Sequence, residues 1–235
     1  MSASQTSMKR LATVARIVMF KDLRAEVNSR VLVNQVAPFS VVIMILFAFA
    51  LDNDGILQRV APGLVWLATM FSMLVVVQRS FAVETTDGAL DALRVAGVDT
   101  RAFFLGKSLA LGVQLCALDI VLVATAFFLY NVQLEPSGLL VVFVTVVLAC
   151  LGLGFIGTLY GGLAAGARGR ETLLPLLLLP VVAPVLIGAT RATEAGFKSG
   201  GAEVSEGWPW SGLLLIFAVI FGVVGSVAFG PLIDE

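Results

Sequence analysis

The chain has 235 residues, 59% of them hydrophobic and 13% charged, with no histidine and a formal net charge of -1. That composition does not suit a water-facing surface, so an ordinary soluble domain is excluded, and the balanced charge offers no footprint for nucleic acid. Cys116 and Cys150 each sit inside an apolar stretch. They form no CxxC redox pair, and without imidazole there is no His/Cys metal site; both read as packing residues.

The first thirty residues are charged throughout and lack the apolar core of a signal peptide, so no cleavage is expected. From about residue 6 to 30, Leu11, Val14, Ile17, Val18 and Val27 recur near helical spacing with basic residues between them. This pattern predicts an amphipathic helix lying along the headgroups of a membrane.

A spanning helix needs about 20 apolar residues. Six stretches meet that need, at about 33–51, 60–78, 108–130, 138–164, 172–190 and 211–230. The second stretch follows Asp52, Asn53, Asp54 and Gly55, and the fourth follows Asn131, Glu135 and Pro136, so turn formers join the pairs into helical hairpins. Basic residues alternate in density between the gaps. Twelve of the fifteen, from Lys9 to Arg30, from Arg79 to Lys107, and at Arg168 and Arg170, fall on one side; only Arg59, Arg191 and Lys198 fall on the other. By the positive-inside rule both termini are cytoplasmic. No repeat, linker or low-complexity tail interrupts the chain, and residues 1–235 read as a single all-α membrane domain.

Within the third stretch, Asp119 lies near the helix centre, where a carboxylate costs about 2.5 to 3.5 kcal/mol on the insertion scale. It is a candidate for a transport path or conformational switch, or else a hydrogen-bonded packing residue, because no intramembrane Lys or Arg offers an obvious partner. The fourth stretch is rich in small residues, including Gly157 and Gly161, and the sixth carries Gly222 and Ser226. Such spacing predicts a close helix-packing seam, within one copy or toward a second copy of the chain. Pro175, Pro180 and Pro184 in the fifth stretch each remove a backbone donor, predicting a kinked or interrupted helix. Trp208 and Trp210 precede the last stretch and suit an interfacial belt.

The longest loop on the basic side contains Glu84, Thr85, Thr86, Asp87, Gly88, Ala89, Leu90, Asp91, Ala92, Leu93 and Arg94. Thr86 or Asp87 can cap a short helix over about 86–96, with Arg94 at its negative end and Gly97 as its stop. Leu90 and Leu93 then share one face, and so short a helix needs a partner groove to be stable. Gly106, Lys107 and Ser108 imitate the end of a phosphate-binding loop, but Arg101 stands where its first glycine belongs. Lys107 is read instead as marking the cytoplasmic end of the third helix, and no nucleotide site or catalytic residue is assigned.

An acidic residue followed by Asp-Gly-x-Leu, after the second of six helices and behind an amphipathic N-terminal helix, resembles an ABC exporter permease subunit of the ABC-2, or type V, architecture. More narrowly, four runs resemble the CcmB family, the haem exporter B permease of cytochrome c biogenesis. They are Ala61-Pro62-Gly63-Leu64-x-Trp66; Arg79-Ser80-Phe81-Ala82-x-Glu84-x-x-Asp87-Gly88; Phe104-Leu105-Gly106-Lys107; and the proline-spaced run from Arg170 to Pro184.

That resemblance implies a partner ATPase, CcmA, which holds ATP and Mg, and a complex with CcmC and CcmD that releases the haem-loaded chaperone CcmE at the outer face of a bacterial-type inner membrane or an equivalent organellar membrane. It also implies that Glu84, Asp87, Gly88, Leu90 and Leu93, with Arg94 beside them, seat in the ATPase. Haem is then the cargo of the complex, touched by this chain if at all through apolar contact, and no cofactor-binding residue is assigned. Two alternatives stand beside this reading. One is another small exporter permease, moving a lipid, drug or glycan. The other is a membrane phosphatidyltransferase, whose DxxDGxxAR metal signature is matched only in part from Glu84 to Ala92.

Overall fold

A computed structural model describes residues 3–51, 53–86, 99–165 and 170–234 of the chain. The elements in order are α1 (Ala3–Ser29), a π-helical turn (Leu32–Val36), α2 (Ala37–Ala50), α3 (Asp54–Thr86) and α4 (Thr100–Leu129). They continue with α5 (Pro136–Ala165), α6 (Arg170–Gly196), two short 3-10 turns at Ser199–Gly201 and Val204–Glu206, and α7 (Gly207–Asp234). Among the described residues six helical stretches are long and apolar enough to cross a membrane: Leu32–Ala50, Gly55–Ala82, Thr100–Leu129, Pro136–Ala165, Leu174–Gly196 and Val204–Pro231. The protein is an all-α integral membrane protein.

Several helices overrun the apolar stretches read from sequence, and their caps show why. Asn53 Oδ1 accepts from the Gly55 and Ile56 amides at 3.0 and 3.2 Å, starting α3 well before residue 60. Asp99 Oδ1 accepts from the Arg101 amide at 2.9 Å, so α4 begins at Thr100. A rise of about 1.5 Å per residue gives the 30 residues of α4 or α5 a length of about 45 Å, beyond the roughly 30 Å of hydrocarbon. Such helices reach past the hydrocarbon into the headgroups, and Lys107, placed at a helix end by sequence, lies well inside α4.

Helix α5 is the axis of the bundle, packed against α3, α4, α6 and α7. Its small residues allow that approach. A Cβ on Gly154 would lie 2.5 Å from the Ser108 carbonyl of α4; one on Gly161 would lie 2.5 Å from the Phe81 ring of α3. Gly157 faces Val77 and Met73 of α3 in the same way, and Gly222 of α7 faces the Phe155 ring at 3.2 Å. Ser226 differs. Its hydroxyl donates to the Val223 carbonyl of its own helix at 2.8 Å, and the close approach on that helix is made by Gly225 against Phe104.

Helix α6 runs without a break through Pro175, Pro180 and Pro184, so the interruption allowed by the sequence does not occur. Each proline forfeits one backbone bond, and packing against α3, α5 and α7 holds the helix together around the gaps. Near the start of α4, α1 crosses it, and a Cβ on Gly106 would run into the Ala15 carbonyl and lie 2.8 Å from Val18 Cβ. The apolar residues of α1 thus divide. Ala15 and Val18 are buried, while Ile17, Phe20 and Val27 stay exposed on the remaining face.

Candidate functional site

Two buried carboxylates mark the places where chemistry can act in this bundle. The first is Glu84, in the last turn of α3, whose side chain is 3% exposed. Lys107 Nζ of α4, 1% exposed, reaches Glu84 Oε1 at 3.2 Å, Asp22 Oδ2 of α1 at 3.1 Å and the Ser80 carbonyl at 3.2 Å. The rings of Phe81 and Phe103 lie 4.9 and 5.7 Å from the same ammonium. Lys21 of α1, 52% exposed, closes the ring at 2.6 Å from Glu84 Oε1 and 3.1 Å from Asp22 Oδ1.

Two cations and two carboxylates alternate, so the cluster is neutral and its buried ammonium has three oxygen acceptors. Burial alone would push the Glu84 carboxyl up, but the adjacent Lys107 charge and the Lys21 hydrogen bond outweigh it and hold the carboxyl below its ordinary value. For Lys21 burial pulls downward, and the Glu84 hydrogen bond with the Asp22 and Glu84 charges wins, raising the ammonium. The cluster ties α1, α3 and α4 together just before residue 87. Asp87, Gly88, Leu90, Leu93 and Arg94 lie outside the described residues, and Thr86 is the last residue of α3.

The second carboxylate is Asp119, fully buried on α4. Its Oδ1 accepts a short hydrogen bond from Thr69 Oγ1 of α3, and its Oδ2 accepts from Cys150 Sγ of α5 at 3.0 Å. Three helices converge on one side chain, and both donors are neutral. Cys150, read from sequence as packing, is a hydrogen-bond donor here, while Cys116 Sγ points at the Val146 carbonyl at 3.9 Å. Among the described residues no three Cys, Asp or Glu side chains are grouped to hold a metal ion.

At the other end of the bundle Lys198 pairs with Glu135 at 2.6 Å and Arg191 with Glu194 at 2.8 Å, and the buried ties are neutral. Trp66 Nε1 of α3 donates to Thr193 Oγ1 of α6 at 2.9 Å, and Tyr130 Oη donates to the Met44 carbonyl at 2.8 Å. Trp208 is exposed at the start of α7.

Sequence reasoning missed Lys21, Asp22 and Lys107 as a unit, and Thr69 and Cys150 as the partners of Asp119. One signal was available. Asp99 is a helix cap, and starting the third helix there puts Lys107 inside an apolar helix, where an ionisable residue calls for a named partner.

Comparison with known proteins draws on most of the chain. Residues 13–232 match the CcmB protein family. A heme exporter protein B of Rhodobacter capsulatus is 30% identical over 190 residues, covering 80% of this chain and 86% of that protein. The heme exporter protein B of Haemophilus influenzae is 30% identical over 195 residues, covering 82% of each, and that of Paracoccus denitrificans is 26% identical over 215 residues, covering 91% and 94%. The matched region takes in α2 to α6, both buried carboxylates and the Lys21–Lys107 cluster, and on that extent the chain belongs to the CcmB family.

Proposed function

We propose that this chain is the membrane subunit of an ATP-driven haem exporter, transmitting the motion of a partner ATPase rather than making or breaking bonds. Its partners are a CcmA-like ATPase, which holds ATP and Mg, and CcmC-, CcmD- and CcmE-like proteins; haem is cargo, delivered with release of the loaded CcmE-like chaperone. The subunit resides in a bacterial-type inner membrane with both termini cytoplasmic. The observation that carries the reading is the CcmB match over residues 13–232, which includes the buried cluster at the last turn of α3, just before residues 87–98.

In this reading Asp87, Gly88, Leu90, Leu93 and Arg94 seat in the ATPase. A displacement of those residues pulls on the last turn of α3. Glu84 is held by Lys107 on α4 and Lys21 on α1, so the pull reaches both helices through charge-assisted hydrogen bonds across a sequence separation of 63 residues to Lys21. Asp119, tied to α3 and α5, is the point deeper in the membrane where such a rearrangement is registered.

The test is purification of the tagged subunit in mild detergent with identification of its partners, beside cytochrome c maturation by variants at matched expression. Leu90→Asp and Leu93→Asp place a charge on an apolar docking face and are expected to lose the ATPase and maturation together. Full maturation with undiminished ATPase co-purification in both variants would remove the coupling assignment. Co-purification with glycan- or lipid-synthesising enzymes instead would redirect the cargo.

A further inference from the structure

A cavity of about 270 Å³ lies beside the Glu84 cluster, between α1, the π-helical turn, α3 and α4. Among the described residues five charged side chains line it: Lys21, Asp22, Glu26, Arg79 and Glu84. Lys21, Asp22 and Glu84 belong, with Lys107, to the neutral ring of alternating ions. Glu26 and Arg79 do not. Glu26 Oε1 accepts from the Leu32 amide, and neither Glu26 nor Arg79 forms an ion pair among the described residues. One charge of each sign thus faces the same space, and the two do not meet across it. Gln114, two turns further along α4 than Lys107, also lines the cavity and is 8% exposed. Its amide has no hydrogen-bond partner among the described residues, and with a donor and an acceptor it suits a group of either sign.

A carboxylate and a guanidinium that share a cavity without pairing fit a ligand that is itself a zwitterion. A lone anion would satisfy Arg79 and be repelled by Glu26; a lone cation would do the reverse. A primary ammonium donates to the Glu26 carboxylate, and a phosphate ester accepts from the guanidinium fork. In a phosphoethanolamine group only two carbons separate these charges, so one molecule can serve both side chains. The remaining wall is apolar. Leu32, Val36 and Val75 line the cavity, and Val33 and Val75 are exposed on the outside of the bundle, where hydrocarbon attached to the head can lie. We infer that the cavity binds the phosphoethanolamine head of a phospholipid, with its ammonium at Glu26 and its phosphate at Arg79. Only the leaflet, the cytoplasmic one, rests on the orientation under Proposed function; the binding does not.

The test uses the full chain reconstituted in bilayers of equal phosphatidylethanolamine, phosphatidylglycerol and phosphatidylcholine, extracted gently and weighed with its retained lipids by native mass spectrometry. Phosphatidylethanolamine is expected to be retained about tenfold over either of the others, the factor that one hydrogen bond to a charged group gives at the weak end of its range. Phosphatidylglycerol brings no cation to Glu26, and the quaternary nitrogen of phosphatidylcholine has no proton to donate. Glu26→Gln, which keeps an oxygen for the Leu32 amide, is expected to bring phosphatidylethanolamine level with phosphatidylcholine. Arg79→Gln is expected to lower the retention of all three lipids, because each carries the phosphate. Arg191→Gln, at an exposed arginine already paired with Glu194, is expected to change nothing. Equal retention of the three by the unaltered chain, or a preference for phosphatidylglycerol, would overturn the inference before any variant is made. An undiminished ethanolamine preference in Glu26→Gln would overturn it as well. Displacement of the retained lipid by millimolar soluble phosphoethanolamine would assign the site to a free zwitterion and overturn the lipid source.

Discussion

Glu84 and Asp119 are both buried carboxylates on the helices that pack around α5, yet they are satisfied in opposite ways. Glu84 has two ammonium partners and a second carboxylate beside it, at the end of its helix where α1 covers the gap. Asp119 has a hydroxyl and a thiol, deep within the span, with no basic partner among its hydrogen bonds. The difference teaches where this bundle keeps charge. Paired ions are concentrated where water and headgroups are near, and neutral donors serve in the interior, where a missing counter-ion would be costly. Removing a partner should therefore matter most at the first site and be graded at the second.

The largest expected effect is at Lys107. Lys107→Met takes the buried ammonium away from Asp22 and Glu84 and leaves two carboxylates to repel each other, a loss of about 3 kcal/mol or more. Unfolding of the purified chain in detergent measures it, and protease sensitivity of α1 is expected to rise in parallel. Lys21→Ala removes the half-exposed cation of the same ring and is expected to cost under about 1 kcal/mol. Equal losses for the two variants would contradict the division between a buried and a solvated ion.

Asp119→Leu is next, expected to cost about 1 to 3 kcal/mol because Cys150 loses its acceptor and Thr69, which keeps the Val65 carbonyl, loses its tie to α4. Asp119→Asn keeps an acceptor oxygen and separates two roles: if only polar packing matters, Asn supports cytochrome c maturation and Leu does not. If charge or proton exchange matters, both variants accumulate and fail. Normal maturation by the Leu variant at matched expression leaves the residue without a role.

Acidity distinguishes the two sites as well. The folded Glu84 carboxyl titrates below its ordinary value of 4.5, so it stabilises the fold above that pH and the contribution fades as pH falls through the depressed value. The hold of α1 on α3 and α4 is thus expected to loosen in acid, and Glu84→Gln to flatten that dependence when proteolysis of α1 is followed against pH. An unchanged acid profile in Glu84→Gln would place the titrating group elsewhere.

The smallest effect is expected at Ser108, whose buried hydroxyl has no hydrogen-bond partner among the described residues. Ser108→Ala removes an unsatisfied polar atom from the α4–α5 crossing, and its stability should match or exceed the parent by up to about 1 kcal/mol in the same unfolding measurement. A loss larger than that would mean the hydroxyl has a partner in the membrane.

Much of the architecture was already written in the amino-acid order. Spanning stretches follow from apolar runs of about 20 residues, since hydrocarbon tolerates no unsatisfied backbone, and the small residues of α5 announce close packing because dispersion must replace the hydrophobic effect in lipid. The turn at Asn131, with φ at 51°, and the cap at Asn53 are local chemistry, legible residue by residue. Tertiary structure alone decided the pairings. Lys107 meets Asp22 across 85 residues of sequence, and Asp119 meets Thr69 across 50 and Cys150 across 31. Helical periodicity says which face a side chain occupies, but not which helix will cover it. The three prolines of α6 make the same point: sequence counts the lost donors, and only the neighbouring helices decide whether the helix survives them.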